Sequence, residues 1–420
     1  MRKNITKLFS LIFAGFARKI IAKHKPFVVG VTGSVGKTST KEAIYQIMAD
    51  HFGKENVRKN QGNLNTEIGL PLAILGYGEI PNKFILCIWL FSAFFRTLSK
   101  QYPKYLILEY GINQPDDMEF LISIVKPKVV VITSLSGAHM ANFKSLSDYQ
   151  EEKTKIITDQ MKKIFLNGDD KDTLELKFDK DKTSFVGIKN KDVDFYAADQ
   201  DTSLSGTTYN LFSLGQKISI KSSLIGEHLI YPQLFGYGVG RYLGIQALEI
   251  KRSLERIKPF KGRMNIINGK KDTTIIDDTY NSNPISCKSA LLTLAKIKYN
   301  NRKVAILGEM NELGNISERA HLEIAKFAKE KADLAIFVGK YAKSQAEAFG
   351  DGSLFFASRG QLEKSIMGII NEGDLILVKA SQDYNYFEEL TKILMKNAED
   401  AKEILVRQTG TALKACDKKE

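Results

Sequence analysis

From Pro26 onward the chain alternates between two textures. FVVGVTG is a run of β-branched residues entering a glycine turn, and KTSTKEAIYQIMADHF behind it carries apolar residues at helical spacing. KYLILEYG and PKVVVITSLSG are continuous apolar runs, the pattern of strands buried on both faces of a parallel sheet. LSDYQEEKTKIITDQM predicts a helix opened by Ser147 and Gln150 at capping-box spacing. Between Lys182 and Ile225 the runs TSFVGI, VDFYAA, TTYNLFSL and KISIKSSL are short and turn-separated, which predicts a small antiparallel patch. The pattern breaks near KPFKGRMNIINGKKD. After it the strands TTIIDD, KVAILG, LAIFVG, SLFFA and DLILVKA alternate with helical segments such as NPISCKSALLTLAKI, SERAHLEIAKFAKEKA and YFEELTKILMKN. The expected fold class is α/β, with a basic amphipathic segment at 1–25, a central domain at 26–262 and a second α/β domain at 263–420.

Two apolar runs stand outside this alternation, LFSLIFAGFA near the start and FILCIWLFSAFF at Phe84–Phe95. Both are shorter than the ~20 apolar residues that span a bilayer. The first is flanked by Arg2, Lys3, Lys7, Arg18, Lys19, Lys23 and Lys25 with no acidic residue among them, and so resembles a signal peptide. The run GSVGKTS that follows at once has the glycine–lysine–threonine pattern of an ATP-binding loop, which belongs to the cytosol and argues against export. Cys87, Cys287 and Cys416 are widely separated and odd in number, which suits a reducing cytosol rather than a disulfide framework. A length of 420 residues suggests two or three domains. The net charge of +13 favours anionic partners. Part of it sits in one short segment with no recognition motif, so nucleic acid is not expected among them.

The candidate chemistry begins at GSVGKTS. The common triphosphate loop is G-x-x-x-x-G-K-[ST]. Gly36, Lys37 and Thr38 fit it, but Val31 stands where the first glycine belongs. Backbone N–H groups of Gly33, Ser34, Val35, Gly36 and Lys37 can wrap phosphate oxygens at a helix N-terminus, in a run completed by Thr38 and Ser39. The Lys37 ammonium can reach the β- and γ-phosphates, and the Thr38 hydroxyl can bind Mg²⁺. Glu109 ends the strand YLILE, at the edge where parallel sheets bind ligands. It reads either as a Mg²⁺ ligand or as a solvated carboxylate. His139 in SGAHM reads as a ligand or a structural histidine, and Lys153 in EEKTKI, taken alone, as a solvated helix lysine. Asn281 and Asn283 in DDTYNSNP look like turn and helix-cap residues.

The order of the motifs adds to these readings. GSVGKTS, NQGNLNTEIGLPLAILG, LEYG, ITSLSGAHMANFKS, EEKTKII, LNGDD, GEH, GRM, IDDTYNSNP, LGEMNELG and LVKAS follow one another between about Pro26 and Lys396. Together they resemble the Mur ligase family, the ATP-dependent amide ligases of peptidoglycan assembly, and IDDTYNSNP with LGEMNELG is most similar to its D-alanyl-D-alanine-adding type. The resemblance implies a central P-loop ATPase domain followed by a Rossmann-like domain. In that family the loop is a shortened form with a threonine before the first glycine, so Val31 is no defect. The implied reaction makes an acyl phosphate from ATP and a muramyl-peptide carboxylate, which the amine of D-Ala-D-Ala then attacks. The resemblance implies one Mg²⁺ on Thr38 and Glu109, and a second near His139 and a carbamylated Lys153. It places Asn63 and Thr66 at the acyl substrate, Asp278, Asn281 and Asn283 over ATP and the dipeptide, and Arg263 at a hinge.

Three positions depart from the family pattern. Only 32 residues precede Gly33, where the family carries a domain that holds the UDP end of the substrate, so that domain is expected to be absent. Pro232 stands near the place of an adenine-side asparagine, and Gln382 replaces an arginine in KASQ. These leave open a Mur-type ligase for another carboxylate, such as a folate, polyglutamate or cofactor precursor, or a non-catalytic scaffold of wall synthesis at the membrane. The retained Lys37, Thr38, Glu109, His139 and Lys153 favour an enzyme. It is expected in the cytoplasm, peripheral at the inner face of the membrane or beside other wall-synthesis enzymes.

Overall fold

A computed structural model of the chain describes residues 2–62, 64–81, 83–136, 142–176, 179–382 and 386–408, with the backbone alone for residues 2–6, 83 and 84. Asn63 and His139 therefore lie outside the described residues. The chain divides into two compact units, one of residues 1–199, 209–220 and 229–256, the other of 200–208, 221–228 and 257–420.

The first unit is built on a nine-stranded sheet, of whose last three strands residues 200–203, 206–208 and 221–222 count with the second unit. Its strands are β1 (Phe27–Thr32), β2 (Val57–Lys59), β3 (Tyr105–Glu109), β4 (Val129–Ile132), β5 (Lys163–Asn167), β6 (Thr183–Gly187), β7 (Phe195–Ser203), β8 (Gly206–Ser213) and β9 (Gln216–Ser222), in the order β2-β3-β1-β4-β5-β6-β7-β8-β9. Pairing is parallel from β2 through β7. Among the described residues the helices that accompany them are α1 (Arg2–His24), α2 (Lys37–Phe52), α3 (Gly69–Leu75), α4 (Lys83–Leu98), α5 (Asp117–Ile124), α6 (Leu146–Thr154), α7 (Lys171–Leu174), α8 (Ile230–Tyr242) and α9 (Ala247–Glu255). Strand residues alternate between two cores. Val28, Leu106, Leu108, Val130 and Ile132 join Phe13 and Ala17 of α1, Leu72 of α3 and Ala93 of α4 in one core. α2 packs against α8 and α9. No helix among the described residues is long and apolar enough to cross a membrane.

Two local expectations are corrected. The cap of α6 is Ser145, whose extended backbone lets its hydroxyl accept from the Asp148 N–H. Ser147 is already inside the helix, and the Gln150 amide donates to the Leu135 carbonyl at 3.2 Å. Within the region 182–225 read as an antiparallel patch, β6 instead continues the parallel sheet. The hairpin turn between β8 and β9 has Leu214 and Gly215 both at positive φ, 49° and 74°, the two-residue form that matches strand twist.

The second unit holds a six-stranded sheet of β10 (Asn265–Asn268), β11 (Thr274–Asp278), β12 (Lys303–Leu307), β13 (Leu334–Val338), β14 (Ser353–Phe356) and β15 (Leu375–Lys379), in the order β10-β11-β15-β12-β13-β14. Only β10, inside the segment read as a break, runs antiparallel to its neighbour. The helix α10 (Pro284–Lys296) follows β11, and further helices among the described residues lie at Ser317–Ala328, Ala342–Phe349, Arg359–Ile369, Phe387–Leu394 and Ala401–Ile404. The register sets Asp278 beside Lys379, and Lys379 beside Leu307, at the carboxyl ends of three neighbouring strands.

Candidate active site

The loop between β1 and α2 has room for glycine alone at its first bend. Gly33 sits at φ +142°, and a Cβ there would run into Thr133 Oγ1 and come within 3.0 Å of the Ser134 nitrogen. Gly36, at φ 80°, then caps α2 in the left-handed conformation without a side-chain hydrogen bond. Residues following β4 hold the loop down. Thr133 Oγ1 donates to the Val35 carbonyl at 2.5 Å, Ser134 Oγ accepts from the Val35 N–H at 3.3 Å, and Ser34 Oγ donates to the Ser136 carbonyl. Val31 needs no glycine's freedom, because it is still in β1, fully buried and paired with Glu109 and Val131. The Lys37 ammonium folds over the loop and donates to the carbonyls of Gly33 at 2.8 Å and Ser34 at 3.3 Å.

Glu109 is not a solvated carboxylate. It is buried, and its Oε2 accepts from the Thr38 hydroxyl at 3.1 Å while its Oε1 accepts from the Asn65 amide at 2.9 Å. Lys41, one turn after Lys37 on α2, places its ammonium 3.7 Å from Glu109 Oε2 and donates to the Asn60 carbonyl at 2.7 Å. Asn60 Oδ1 accepts the backbone N–H of Glu109 at 2.8 Å, and its amide donates to the Leu64 carbonyl at 2.9 Å. Thr66, half-buried, accepts the Leu70 N–H on its carbonyl at 2.9 Å and starts the turn into α3. Lys41, Asn60 and Asn65 were not singled out from the sequence. Lys41 could have been found from its spacing, since i+3 from Thr38 and i+4 from Lys37 share a helix face.

The donors around Glu109 fit Mg²⁺, a hard cation that takes oxygen ligands and few dedicated carboxylates. Thr38 and Glu109 offer two side-chain oxygens side by side. Among the described residues no cluster of three or more His, Cys, Asp or Glu side chains makes a fuller metal cage.

Lys153 is not the solvated helix lysine its position suggests. It is buried, its ammonium donates to the Gly33 carbonyl at 3.1 Å, and it lies 4.5 Å from the centre of the Tyr149 ring. Burial, with the nearby Lys37 charge, pulls its pKa well below the ordinary lysine value, against the opposite pull of Glu109 and Glu152. The neighbouring Lys155 pairs with Glu152 at 2.8 Å.

The remaining candidates lie in the second unit. Asp278 accepts from the buried Lys379 ammonium at 2.5 Å, and the same ammonium donates to the Asn281 carbonyl at 2.9 Å. Asn281 Oδ1 accepts the Ser282 N–H at 2.9 Å, and Asn283 closes a capping box with Ser286 at the start of α10. Both therefore act as the turn and cap residues they resemble in sequence. Arg263 stacks over the Tyr280 ring at 4.1 Å. Burial pushes His228 of GEH down to about 4 against the pull of Asp278, while Lys379 and Arg263 push the same way as burial. Gln382 gives its carbonyl to the Asn311 amide at 2.8 Å, and Pro232 sits in the first turn of α8, where a missing N–H does no harm. Lys379 was not singled out beforehand. Its signal is a cation ending an otherwise apolar buried strand.

A loop of this shape, backed by a strand-end carboxylate and a buried lysine and followed by a Rossmann-like unit, defines a class. The Mur ligase middle domain matches residues 31–86 and 88–239, and the Mur ligase glutamate ligase domain matches 262–382. The chain belongs to the Mur ligase family. Among its relatives is UDP-N-acetylmuramoyl-tripeptide--D-alanyl-D-alanine ligase of Bacillus subtilis (strain 168), 27% identical over 378 residues, which are 88% of this chain and 76% of that one. In structure it is similar to MurF from Acinetobacter baumannii, with a TM-score of 0.77, 22% identity and coverage of 93% and 81% of the two chains. It is also similar to MurF ligase from Thermotoga maritima in complex with ADP, with a TM-score of 0.74, 24% identity and coverage of 93% and 84%.

Proposed function

We propose that this chain is an ATP-dependent amide ligase of peptidoglycan precursor synthesis, which joins D-alanyl-D-alanine to the terminal carboxylate of a muramyl tripeptide. One observation carries the reading: Lys37, Thr38, Glu109 and the buried amine of Lys153 gather around one glycine-cradled loop, in a chain whose relatives are such ligases. The γ-phosphoryl group of ATP passes to a carboxylate oxygen, giving ADP and an acyl phosphate. The dipeptide amine attacks the acyl carbon, the new C–N bond forms, and phosphate leaves as the amine loses a proton.

In such a reaction several anions must be held together, so fixed positive charge and loop N–H groups do most of the work. The Lys37 ammonium turns from its own loop carbonyls to the β- and γ-phosphates. Thr38 and Glu109 would hold one Mg²⁺, which when bound offsets the charge on the phosphates. Burial and the nearby Lys37 charge lower the basicity of Lys153, which favours its free-amine form. Its addition to CO₂, with loss of a proton, gives a carbamate whose oxygens, with His139, suit a second Mg²⁺. Asn63 and Thr66 face the acyl substrate. In this reading residues 26–262 are the ATP-binding domain, and Asp278, Asn281, Asn283 and Arg263 of the domain 263–420 are assigned by the family resemblance to nucleotide and dipeptide. The enzyme works in the cytoplasm, at the inner face of the membrane.

The test is ADP and phosphate release by the purified protein with ATP, Mg²⁺, UDP-N-acetylmuramoyl tripeptide and D-Ala-D-Ala. Release should require both substrates and yield a pentapeptide product by mass. Turnover with a folate or polyglutamate acceptor instead, or with neither, overturns the assignment.

A further inference from the structure

The helices α1 and α4 each have a buried side and an exposed side. Phe13, Ala14 and Ala17 of α1 and Leu86 and Ala93 of α4 enter the same core. Away from it, Ile88, Phe91, Phe95 and Leu98 recur along α4 at intervals of three and four, one stripe of a helix. Phe91 is 75% exposed and Phe95 66%. Leu8 and Leu11 of α1 are exposed as well. The two helices are tied at their C-terminal ends, where the Lys23 ammonium donates to the carbonyls of Thr97 at 3.0 Å and Ser99 at 2.7 Å. A contiguous exposed aromatic face of this kind marks an interaction site.

Charge decides the occupant. No acidic residue precedes Glu42, and none occurs between Ile80 and Leu108. Lys19, on the same helical stripe as Leu8 and Ile12, is exposed, and so are Lys100 and Lys104 beyond the end of α4. A second copy would bring like charge against like charge across a two-fold contact. An anionic lipid surface supplies both the negative charge and a place for the rings. We propose that the α1–α4 face docks on an anionic bilayer, with Phe91 and Phe95 entering the interface and Lys19, Lys100 and Lys104 among the headgroup phosphates. This rests on the reading that the enzyme works at the inner face of the membrane, and names the surface and the lipid. Neither helix spans; both lie along the interface.

The experiment is flotation of the full chain with vesicles of phosphatidylglycerol or of phosphatidylcholine. Binding should require phosphatidylglycerol and weaken at least tenfold between low and 0.5 M salt. F91E/F95E and K19E/K100E should each lose at least tenfold in binding while keeping the parent's thermal midpoint and its ADP release. Arg18 and Lys23 are left in place, because Arg18 bonds to Ser123 and Lys23 to α4. If the parent binds and F91E/F95E binds equally, the face is wrong although the peripheral location stands. If the parent stays with neither vesicle, both fail. Equal binding to neutral vesicles, or a dimer by sedimentation that F91E/F95E dissolves without any lipid binding, also overturns the proposal.

Discussion

Lys41→Met tests whether Glu109 is held by charge. The Lys41 side chain has no solvent exposure and that of Glu109 is 3% exposed, so water screens neither. At their 3.7 Å separation, an effective dielectric of about 20 gives an attraction of ~4 kcal/mol. Methionine keeps much of the volume but removes one cation from beside a buried carboxylate, where breaking a buried pair typically costs about 3–5 kcal/mol; the Lys153 charge still acts on Glu109. Glu109 keeps the Thr38 and Asn65 hydrogen bonds, which points to the lower end of that range. The loss of the bond to the Asn60 carbonyl contributes as well. Urea unfolding can be followed by fluorescence of Trp89, the single tryptophan, which lies in the same unit. Lys41→Met should lose about 3 kcal/mol. Adding Glu109→Gln should cost little more, since the carboxylate charge that Lys41 offset is then gone, giving a coupling energy of at least ~1.5 kcal/mol. Two single effects that add to within about 0.5 kcal/mol would refute the electrostatic reasoning.

Lys37→Ala should lower the ligation rate by about 10²–10³-fold, because the phosphate charge then lacks its fixed cation; steady-state ADP release reads this, and a loss of only a few-fold would reassign the loop. Lys153→Ala should lose activity and regain part of it in high concentrations of a short carboxylic acid, and in the parent ¹³C-bicarbonate should give a carbamate signal absent from the variant. Asp277 is fully buried, accepts from the Thr279 hydroxyl at 2.7 Å, and has a second oxygen without a hydrogen-bond partner among the described residues. Burial raises it from 3.8 to about 7. A raised folded-state carboxyl favours the folded state below the unfolded pKa and loses that advantage as pH rises through the folded one. Parent stability relative to Asp277→Asn should therefore fall by on the order of 4 kcal/mol between pH 4 and pH 7, read by urea unfolding at each pH; a flat difference would place Asp277 in a polar or solvated setting.

The strands and the phosphate loop were legible because each rests on local sequence. A buried parallel strand writes a continuous apolar run, and G-K-T between a strand and a helix has few other uses. The α6 cap was misplaced by two residues because Ser145 and Ser147 are both plausible caps, and only the extended backbone at Ser145 decides between them. β6 was read as part of an antiparallel patch because a five-residue strand carries no mark of its partner's direction. Lys41, Lys153 and Lys379 were the least legible. A lysine is solvated by default, and each of these is buried by tertiary packing. Glu109 was ambiguous for the converse reason: three of its side-chain neighbours, Thr38, Lys41 and Asn65, come from two separate segments.

Two amines share one oxygen in this fold. The Gly33 carbonyl accepts from Lys37 at 2.8 Å and from Lys153 at 3.1 Å, so the charge on the first works against a charge on the second. An anion that neutralises Lys37 removes this opposition, and Lys153 then holds its proton more firmly. A protonated amine has no lone pair for CO₂. On the proposed carbamate reading, the consequence is one of sequence in time: Lys153 would be primed more readily before the triphosphate arrives, and nucleotide entering first would delay the priming.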